Sequence, residues 1–230
     1  MPDRGDIALS PDALFLTEPA CYRLLAAEGL PTPPHFIAHS PEEATEKAAS
    51  LGFPVVLKVV SPQVVHKSEA GGVRVALADT DAVRQAYQAV ESSVRSFRPD
   101  AVIEGMLLLP HFQGGTELIV GGLQDVQFGP TVMFGLGGIF VELLKDVSFR
   151  VAPIDQEEAR QMIQEIKGYP LLSGFRGRPL LDLDALAAFL ADLSGLMNRH
   201  PEIEELDLNP VFLFPKGLAV ADARIKISKQ

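Results

Sequence analysis

The sequence lacks several features that define common classes of protein. It contains no tryptophan and a single cysteine, Cys21, among its 230 residues. One cysteine permits no internal disulfide, which fits a reducing compartment. No segment approaches the roughly 18 consecutive apolar residues that a membrane-spanning helix needs. The charged N-terminus, residues 1–6, is not followed by the apolar core of a signal peptide. These absences predict a cytoplasmic protein without a membrane partner.

Positive charge is also scarce. Twenty lysines and arginines stand against thirty acidic residues, which gives a net charge of −10 and an isoelectric point near 5.0. A general nucleic-acid-binding protein would show a basic face, so no nucleic-acid partner is predicted. A nucleotide site remains compatible with this charge, because a few placed cations and a metal ion are enough to hold phosphate. The length permits one large domain or two small ones.

The apolar pattern predicts a mixture of helices and strands without regular βαβ spacing. Neighbouring strands read as antiparallel, so the α+β class is favoured. Helices are expected at about 17–28, 41–51, 80–94, 155–166 and 182–198. Strands are expected at about 54–60, 72–78, 101–108, 116–123, 129–135, 147–152, 202–214 and 218–224. The chain contains no G-x-x-x-x-G-K-[ST] motif, which excludes a P-loop.

The first candidate cluster joins a lysine inside a strand to a histidine on the following loop. Lys58 interrupts an apolar run, and a charge in a buried strand needs an anionic partner. His66 stands on a polar loop that ends at Gly71 and Gly72, whose backbone N–H groups can approach a ligand closely. A nucleotide phosphate held by the lysine, with the imidazole beside it, is one explanation. A solvated loop histidine and a plain glycine turn are the other.

Two further clusters lie at a strand end and a strand start. Near residues 103–107, the Glu104 carboxylate and the adjacent backbone can face an adenine edge, and Met106 and Leu107 can enclose the ring. Glu117 opens a strand and can accept the hydroxyls of a ribose. Taken alone, each acid is better explained as a solvated residue at the end of a strand.

The fourth cluster collects oxygen ligands near the C-terminus. In a strand, Glu205, Asp207 and Asn209 share one face. If Lys216-Gly217 is a two-residue hairpin turn, Asp222 lies opposite Val211 and diagonally adjacent to Asn209. Magnesium prefers a few hard oxygen ligands, so this patch is a candidate metal site. An exposed acidic strand face is the alternative, and a one-residue slip would remove Asp222 from the patch.

In this order, the clusters resemble those of ATP-grasp subunits. More narrowly, they resemble the β subunit of ADP-forming acyl-CoA (acetyl-CoA) synthetases, which are relatives of succinyl-CoA synthetase. The H-K-S loop at 66–68, combined with the block F-G-L-G-G-I-F at 134–140, is specific to that family, and the match runs from about residue 11 to 227. The other segments that carry it are 54–62, 71–73, 117–121, 128–130, 207–210 and 222–224.

The resemblance implies an ATP-grasp fold of two subdomains. Each would contain a largely antiparallel sheet and helices, with a nucleotide cleft between them. After a loose N-terminus at 1–10, the ATP-grasp domain would span 11–230. Its smaller subdomain, about 30–105, would carry the mobile histidine loop. The larger subdomain would comprise about 11–29 and 106–230.

The implied reaction is acyl-CoA + ADP + Pi = carboxylic acid + ATP + CoA. A partner α subunit, carrying the CoA-binding and ligase domains, forms an acyl phosphate and passes the phosphoryl group to its own histidine. His66 then relays it to ADP with Mg2+, and neutral imidazole is a competent nucleophile for this step. The expected assembly is an α2β2 heterotetramer. By the same matching, Lys58 binds phosphate beside Gly71 and Gly72, Glu104 and Met106 with Leu107 bind adenine, Glu117 binds ribose, and Asn209 and Asp222 bind magnesium.

The chain departs from the family pattern at several positions. Gly105 replaces a common proline, residues 109–115 form a longer turn than usual, and Gln124 replaces an expected arginine whose loss could weaken turnover. Glu142 matches a family acid whose role the resemblance does not fix. Two other functions stay open: a nucleotide-sensing, synthetase-like regulatory subunit and a stand-alone ATP-grasp carboxylate ligase.

Overall fold

The computed structural model describes residues 13–138, 146–177 and 179–228. These residues form two compact units. The smaller unit consists of residues 17–20 and 33–113, and the larger unit takes the remaining described residues. The smaller unit therefore extends past residue 105 and includes the start of the first helix.

The helices and strands follow one another along the chain in an irregular order. They are β1 (Ala13–Phe15), α1 (Glu18–Ala27), β2 (Phe36–Ala38), α2 (Pro41–Leu51), β3 (Val55–Val60), β4 (Val73–Leu77), α3 (Thr80–Phe97), β5 (Gly105–Pro110), β6 (Thr116–Asp125), β7 (Gly129–Leu136), β8 (Val147–Val151), α4 (Gln156–Glu165), α5 (Tyr169–Leu172), α6 (Leu183–Arg199), β9 (Ile203–Leu213), β10 (Leu218–Val220) and β11 (Arg224–Ser228).

The smaller unit is a four-stranded antiparallel sheet in the order β2-β5-β3-β4. Helices α2 and α3 contribute to its core together with alternate residues of the strands. All six residues of β3 are buried, so both faces of this strand are covered. The core includes Val55, Leu57, Val59, Val83, Tyr87, Val90, Val94, Met106 and Leu108.

The larger unit is a seven-stranded sheet in the order β1-β11-β9-β6-β7-β8, with β10 paired to β9. Helix α6 packs on β6 and β7. It approaches the sheet closely at Gly122, where an added Cβ would lie 2.6 Å from the Met197 sulfur. Every strand pairing among the described residues is antiparallel. The predicted α+β class is therefore confirmed.

Side-chain caps fix the starts of several helices. Ser40, Asp155 and Asp182 accept backbone N–H groups of the first turns of α2, α4 and α6. Helix α3 begins at Thr80, as predicted, and its N-cap Asp79 accepts the N–H of Ala82 at 2.8 Å. These oxygens satisfy backbone donors that have no partner within the helix.

Two of the predicted strands have wrong boundaries. The strand expected from residue 101 begins only at Gly105, and the strand expected at 218–224 ends at Val220, before the separate strand β11. The short strands β1 and β2 were not predicted, since three residues are too few to show an alternating pattern. Cys21 is fully buried. In the described part of the chain, no helix is long and apolar enough to cross a membrane.

A histidine between two carboxylates joins the ends of α1 and α6 in the larger unit. The two ring nitrogens of His200 lie 2.8 Å from Glu202 and 3.0 Å from Glu28. Glu28 also binds Arg199 at 2.6 Å. Hydrogen bonds to Glu202 and then Glu28 raise the pKa of His200 above its ordinary value of 6.5. Arg199 and His200 lower the pKa of Glu28 below 4.5.

These pKa shifts predict a pH-dependent contribution to stability. The His200 contribution is complete below pH 6.5 and disappears as the pH rises through the raised pKa. The Glu28 contribution is complete above pH 4.5 and disappears as the pH falls through the lowered pKa. At pH 6, His200→Gln should lower the melting temperature by about 2 °C, and this difference should shrink toward pH 9. His39→Gln, at an exposed histidine of the smaller unit, provides the control. A His200→Gln difference that stays constant from pH 6 to 9 would contradict the assignment.

Candidate functional site

Lys58, predicted to bind phosphate, has a carboxylate partner within the protein. Its ammonium group donates a hydrogen bond of 2.7 Å to Glu18 at the start of α1. The two side chains are only 8% and 1% exposed. The prediction that this buried cation needs an anion is therefore met by Glu18. The sequence analysis missed Glu18, because an acid in the first turn of a helix is common and lies 40 positions from Lys58.

A second lysine meets the same carboxylate. The ammonium of Lys67 lies 2.9 Å from the other oxygen of Glu18. Lys67 directly follows His66, so this ion pair holds the loop next to the histidine. We call Glu18, Lys58 and Lys67 the Glu18 cluster. It carries two positive charges and one negative charge.

His66 itself is exposed on the loop between β3 and β4. Backbone hydrogen bonds close the loop behind it: Ala70 N–H donates to His66 C=O, and Gly72 N–H donates to Lys67 C=O at 2.7 Å. An added Cβ on Gly72 would lie 2.6 Å from Val59 and 3.0 Å from the Lys67 carbonyl oxygen, so only glycine fits. Gly71 has a φ of 64°, which also favours glycine. The imidazole is thus presented to solvent by a loop with a closely packed base.

Glu104 is exposed directly before β5, and its N–H donates to the Val60 carbonyl oxygen at 2.8 Å. The next residue, Gly105, has a φ of 147°, a value that proline cannot adopt. An added Cβ there would lie 2.8 Å from Ile37. The departure from the family proline therefore has a conformational reason in this chain.

The side chains of Met106 and Leu107 cannot both enclose one ring. Successive residues of a strand point to opposite faces of the sheet. Met106 belongs to the core beneath α2 and α3. Leu107 is opposite Lys58 in the β3–β5 pairing and shares its face. This part of the sequence interpretation is corrected: Met106 can offer an adenine only its main chain.

Glu117, expected at a strand start, is the second residue of β6 and is exposed. Its carbonyl oxygen accepts the Gly137 N–H at 2.8 Å. An added Cβ on Gly138 would lie 3.1 Å from a Glu117 carboxylate oxygen. The structure therefore brings the start of the glycine-rich block to the candidate ribose ligand. The end of that block, 139–140, and Glu142 lie outside the described residues.

The turn between β9 and β10 differs from the predicted two-residue hairpin. Val220 pairs with Val211, and Phe214 N–H donates to the Gly217 carbonyl oxygen, so the turn spans four residues. Two hydrogen bonds fix the turn. The Gly217 N–H donates to the Asp182 carboxylate, and the Asp182 N–H donates to the Phe214 carbonyl oxygen. The predicted alignment of Asp222 with Val211 was therefore wrong by two residues.

In the observed register of β9 and β10, Asp222 aligns with Asn209 rather than with Val211. The N–H of Ala221 donates to the Pro210 carbonyl oxygen at 3.0 Å, so the next residue along, Asp222, aligns with Asn209. The pairing of β9 with β6 is irregular at this point, and Val211 is buried whereas Asn209 is exposed. Asp222 itself lies just beyond β10.

The acids beside this patch have a basic partner. Arg224 lies 3.0 Å from Glu205 and 3.5 Å from Asp207. Within the described ranges, no group of three or more His, Cys, Asp or Glu side chains is placed to hold a metal ion. One carboxylate and one amide oxygen still fit Mg2+, which takes its other ligands from water and phosphate.

The predicted site residues divide between the two units. Lys58, His66, Gly71, Gly72, Glu104, Met106 and Leu107 belong to the smaller unit, and Glu117, Asn209 and Asp222 belong to the larger one. Gln124, which replaces an expected arginine, donates its amide to the Met197 carbonyl oxygen at 2.9 Å. It thereby joins β6 to α6.

Residues 8–227 match the ATP-grasp domain family. The β subunit of acetate–CoA ligase (ADP-forming) I from Pyrococcus furiosus is 45% identical, over 91% of this chain and 90% of its own length. Acetate–CoA ligase (ADP-forming) I from Archaeoglobus fulgidus is 47% identical over 90% of this chain. The match covers only 31% of that longer protein.

Solved structures of acetyl-coenzyme A synthetase 1 from Candidatus Korarchaeum cryptofilum are also similar. One, in complex with coenzyme A and Ca-AMPCP, gives a TM-score of 0.89 at 48% identity, covering 94% of each chain. Another contains Mg-AMPPCP, with a phosphohistidine segment pointing towards the nucleotide-binding site. It gives a TM-score of 0.80 at 45% identity and covers 94% of this chain and 93% of that one.

Proposed function

We propose that this chain transfers a phosphoryl group through His66. The chain belongs to the ATP-grasp family and, within it, to the β subunits of ADP-forming acyl-CoA synthetases. The overall reaction is acyl-CoA + ADP + Pi = carboxylic acid + ATP + CoA. The observation that carries this proposal is the exposed imidazole of His66 on a loop fixed at its base.

The relay needs two displacements at phosphorus. In the first, the P–N bond of a phosphohistidine on the α subunit breaks as a ring nitrogen of His66 forms a new P–N bond. In the second, an oxygen of the ADP β-phosphate attacks the same phosphorus, and the bond to His66 breaks. Phosphoryl transfer of this kind depends mainly on positioning and on neutralising negative charge.

The nucleotide and magnesium ligands are proposed on the same matching. Lys58 and the Gly71-Gly72 backbone bind phosphate, the Glu104 region and Leu107 contact adenine, and Glu117 accepts ribose hydroxyls. Asn209 and Asp222 hold Mg2+, which supplies charge neutralisation for the phosphates. The oxygen donors of Asn209 and Asp222 suit this hard cation.

The partner is an α subunit with the CoA-binding and ligase domains, in an α2β2 assembly. The Archaeoglobus relative, in which a region like this chain covers about a third of a longer protein, supports such a division of labour. The regulatory-subunit and carboxylate-ligase alternatives are less favoured, because the matching relatives are ADP-forming ligases and His66 is retained and exposed.

A reconstitution experiment tests the proposal. The purified chain, mixed with the α subunit of the same enzyme, should form ATP from acetyl-CoA, ADP and phosphate in the presence of Mg2+. Each subunit alone should form none. ATP formation by the α subunit without this chain, or no formation by the mixture while ADP still binds, would contradict the proposal.

A further inference from the structure

Glu18 contacts both lysines of the Glu18 cluster, and nothing in the proposed reaction uses it. Its side chain is only 1% exposed, and burying a carboxylate so deeply is costly unless it is paired. Its two oxygens pair with Lys58 at 2.7 Å and with Lys67 at 2.9 Å.

Lys67 transmits this contact to the histidine loop. Its ammonium is held by Glu18, and its carbonyl oxygen is held by the Gly72 N–H at 2.7 Å. Because His66 is the preceding residue, the imidazole cannot move far while both contacts persist. A relay that carries His66 between two phosphorus partners therefore requires the Glu18–Lys67 pair to open.

Phosphorylation of His66 explains how the Glu18–Lys67 ion pair opens. A phosphoryl group adds negative charge and three strong acceptor oxygens directly beside Lys67. It competes with Glu18 for the ammonium group through charge-assisted hydrogen bonds. Glu18 keeps Lys58 as its partner when Lys67 leaves, so the buried carboxylate is not stranded without a cation.

We propose that Glu18 is a positioning residue that holds the His66 loop at rest through Lys67, and that phosphorylation of His66 releases the loop. This inference rests on the proposed function of His66. It assigns no contact with substrate to Glu18.

The test is hydrogen exchange of residues 61–72 in the complex with the α subunit, measured before and after loading with acetyl-CoA and phosphate. In the wild type, loading should speed exchange of these amides by about ten-fold or more. In Lys67→Met, exchange should already be fast without loading, and loading should change it little. Glu18→Gln should behave in the same way. Lys67→Met keeps the result interpretable if Glu18→Gln fails to fold, because Lys58 then retains Glu18.

Steady-state kinetics provide a second measurement, which a purely structural role of Lys67 would not affect. Lys67→Met should lower kcat for ATP formation by about ten-fold while leaving the KM for ADP within about two-fold. Lys226→Met is the control, because Lys226 is a more deeply buried lysine that pairs with Glu204 at 2.6 Å in the larger unit. It should leave loop exchange unchanged.

Two outcomes separate the two proposals. If unloaded Lys67→Met exchanges as slowly as the wild type, the positioning role of Glu18 is wrong, whatever His66 does. If the wild type takes no phosphoryl group on His66, the proposed function fails and the release step fails with it. In that case, hydrogen exchange of the unloaded samples still tests the Glu18–Lys67 contact.

Discussion

Replacement of His66 by alanine is expected to abolish ATP formation by the reconstituted enzyme. The relay is covalent, and alanine provides no nucleophile for the phosphoryl group. We expect the rate to fall by at least about a thousand-fold, since knocking out a covalent nucleophile removes the main catalytic path. The fold should be unaffected, because the side chain is exposed. ATP formed from acetyl-CoA, ADP and phosphate is the measurement.

The distribution of label identifies the step that is lost. With radiolabelled phosphate, acetyl-CoA and no ADP, the wild type should carry acid-labile phosphohistidine on both subunits. In His66→Ala the label should remain on the α subunit alone. His39→Ala, at another exposed histidine of the same unit, should label both subunits normally. Label on this chain in His66→Ala, or an unchanged rate, would show that another residue carries the phosphoryl group.

The sequence predicted the class of the fold because the long elements have clear apolar periods. Helix α3 and strands β3, β6, β7 and β9 are long enough for their patterns to show, whereas β1 and β2 are not. The resemblance to ADP-forming acyl-CoA synthetase β subunits is confirmed by the similar proteins. The resemblance rested on short motifs in a fixed order along the chain, and these can be recognised without knowing the tertiary contacts.

The errors concern contacts that local patterns do not encode. Glu18 reaches Lys58 across 40 positions, and no periodicity links the two residues. The register of β10 depends on a four-residue turn fixed by Asp182, a residue 35 positions before Gly217. Met106 and Leu107 were placed on one ring although strand geometry separates their side chains. The roles of the site residues in binding remain predictions.

The Glu18 cluster also changes how Lys58 is understood. A buried lysine with a carboxylate partner is satisfied without any ligand, so its burial alone is no sign of a phosphate site. The contribution of Lys58 to stability must therefore be separated from its contribution to nucleotide binding.

Lys58→Met is expected to have a large effect on both stability and ADP binding. The variant keeps the length of the side chain and leaves Glu18 paired with Lys67. Breaking a buried ion pair costs about 3–5 kcal/mol of stability when one partner is left without a counter-ion. Because Lys67 still pairs with Glu18, we expect the free energy of unfolding to fall by about 3 kcal/mol. Loss of a charged phosphate ligand should weaken Mg-ADP binding by about 10- to 100-fold. Urea unfolding and calorimetry measure the two quantities separately.

Lys226→Met distinguishes these effects, because it removes an equally buried lysine from an ion pair in the larger unit. Its partner Glu204 is 30% exposed, so water can replace the lysine and the loss of stability should be only about 1 kcal/mol. Its affinity for Mg-ADP should match the wild type. If Lys58→Met also binds Mg-ADP like the wild type while its stability falls, Lys58 serves only as the partner of Glu18. If instead affinity falls in Lys58→Met alone, Lys58 binds the phosphate as proposed.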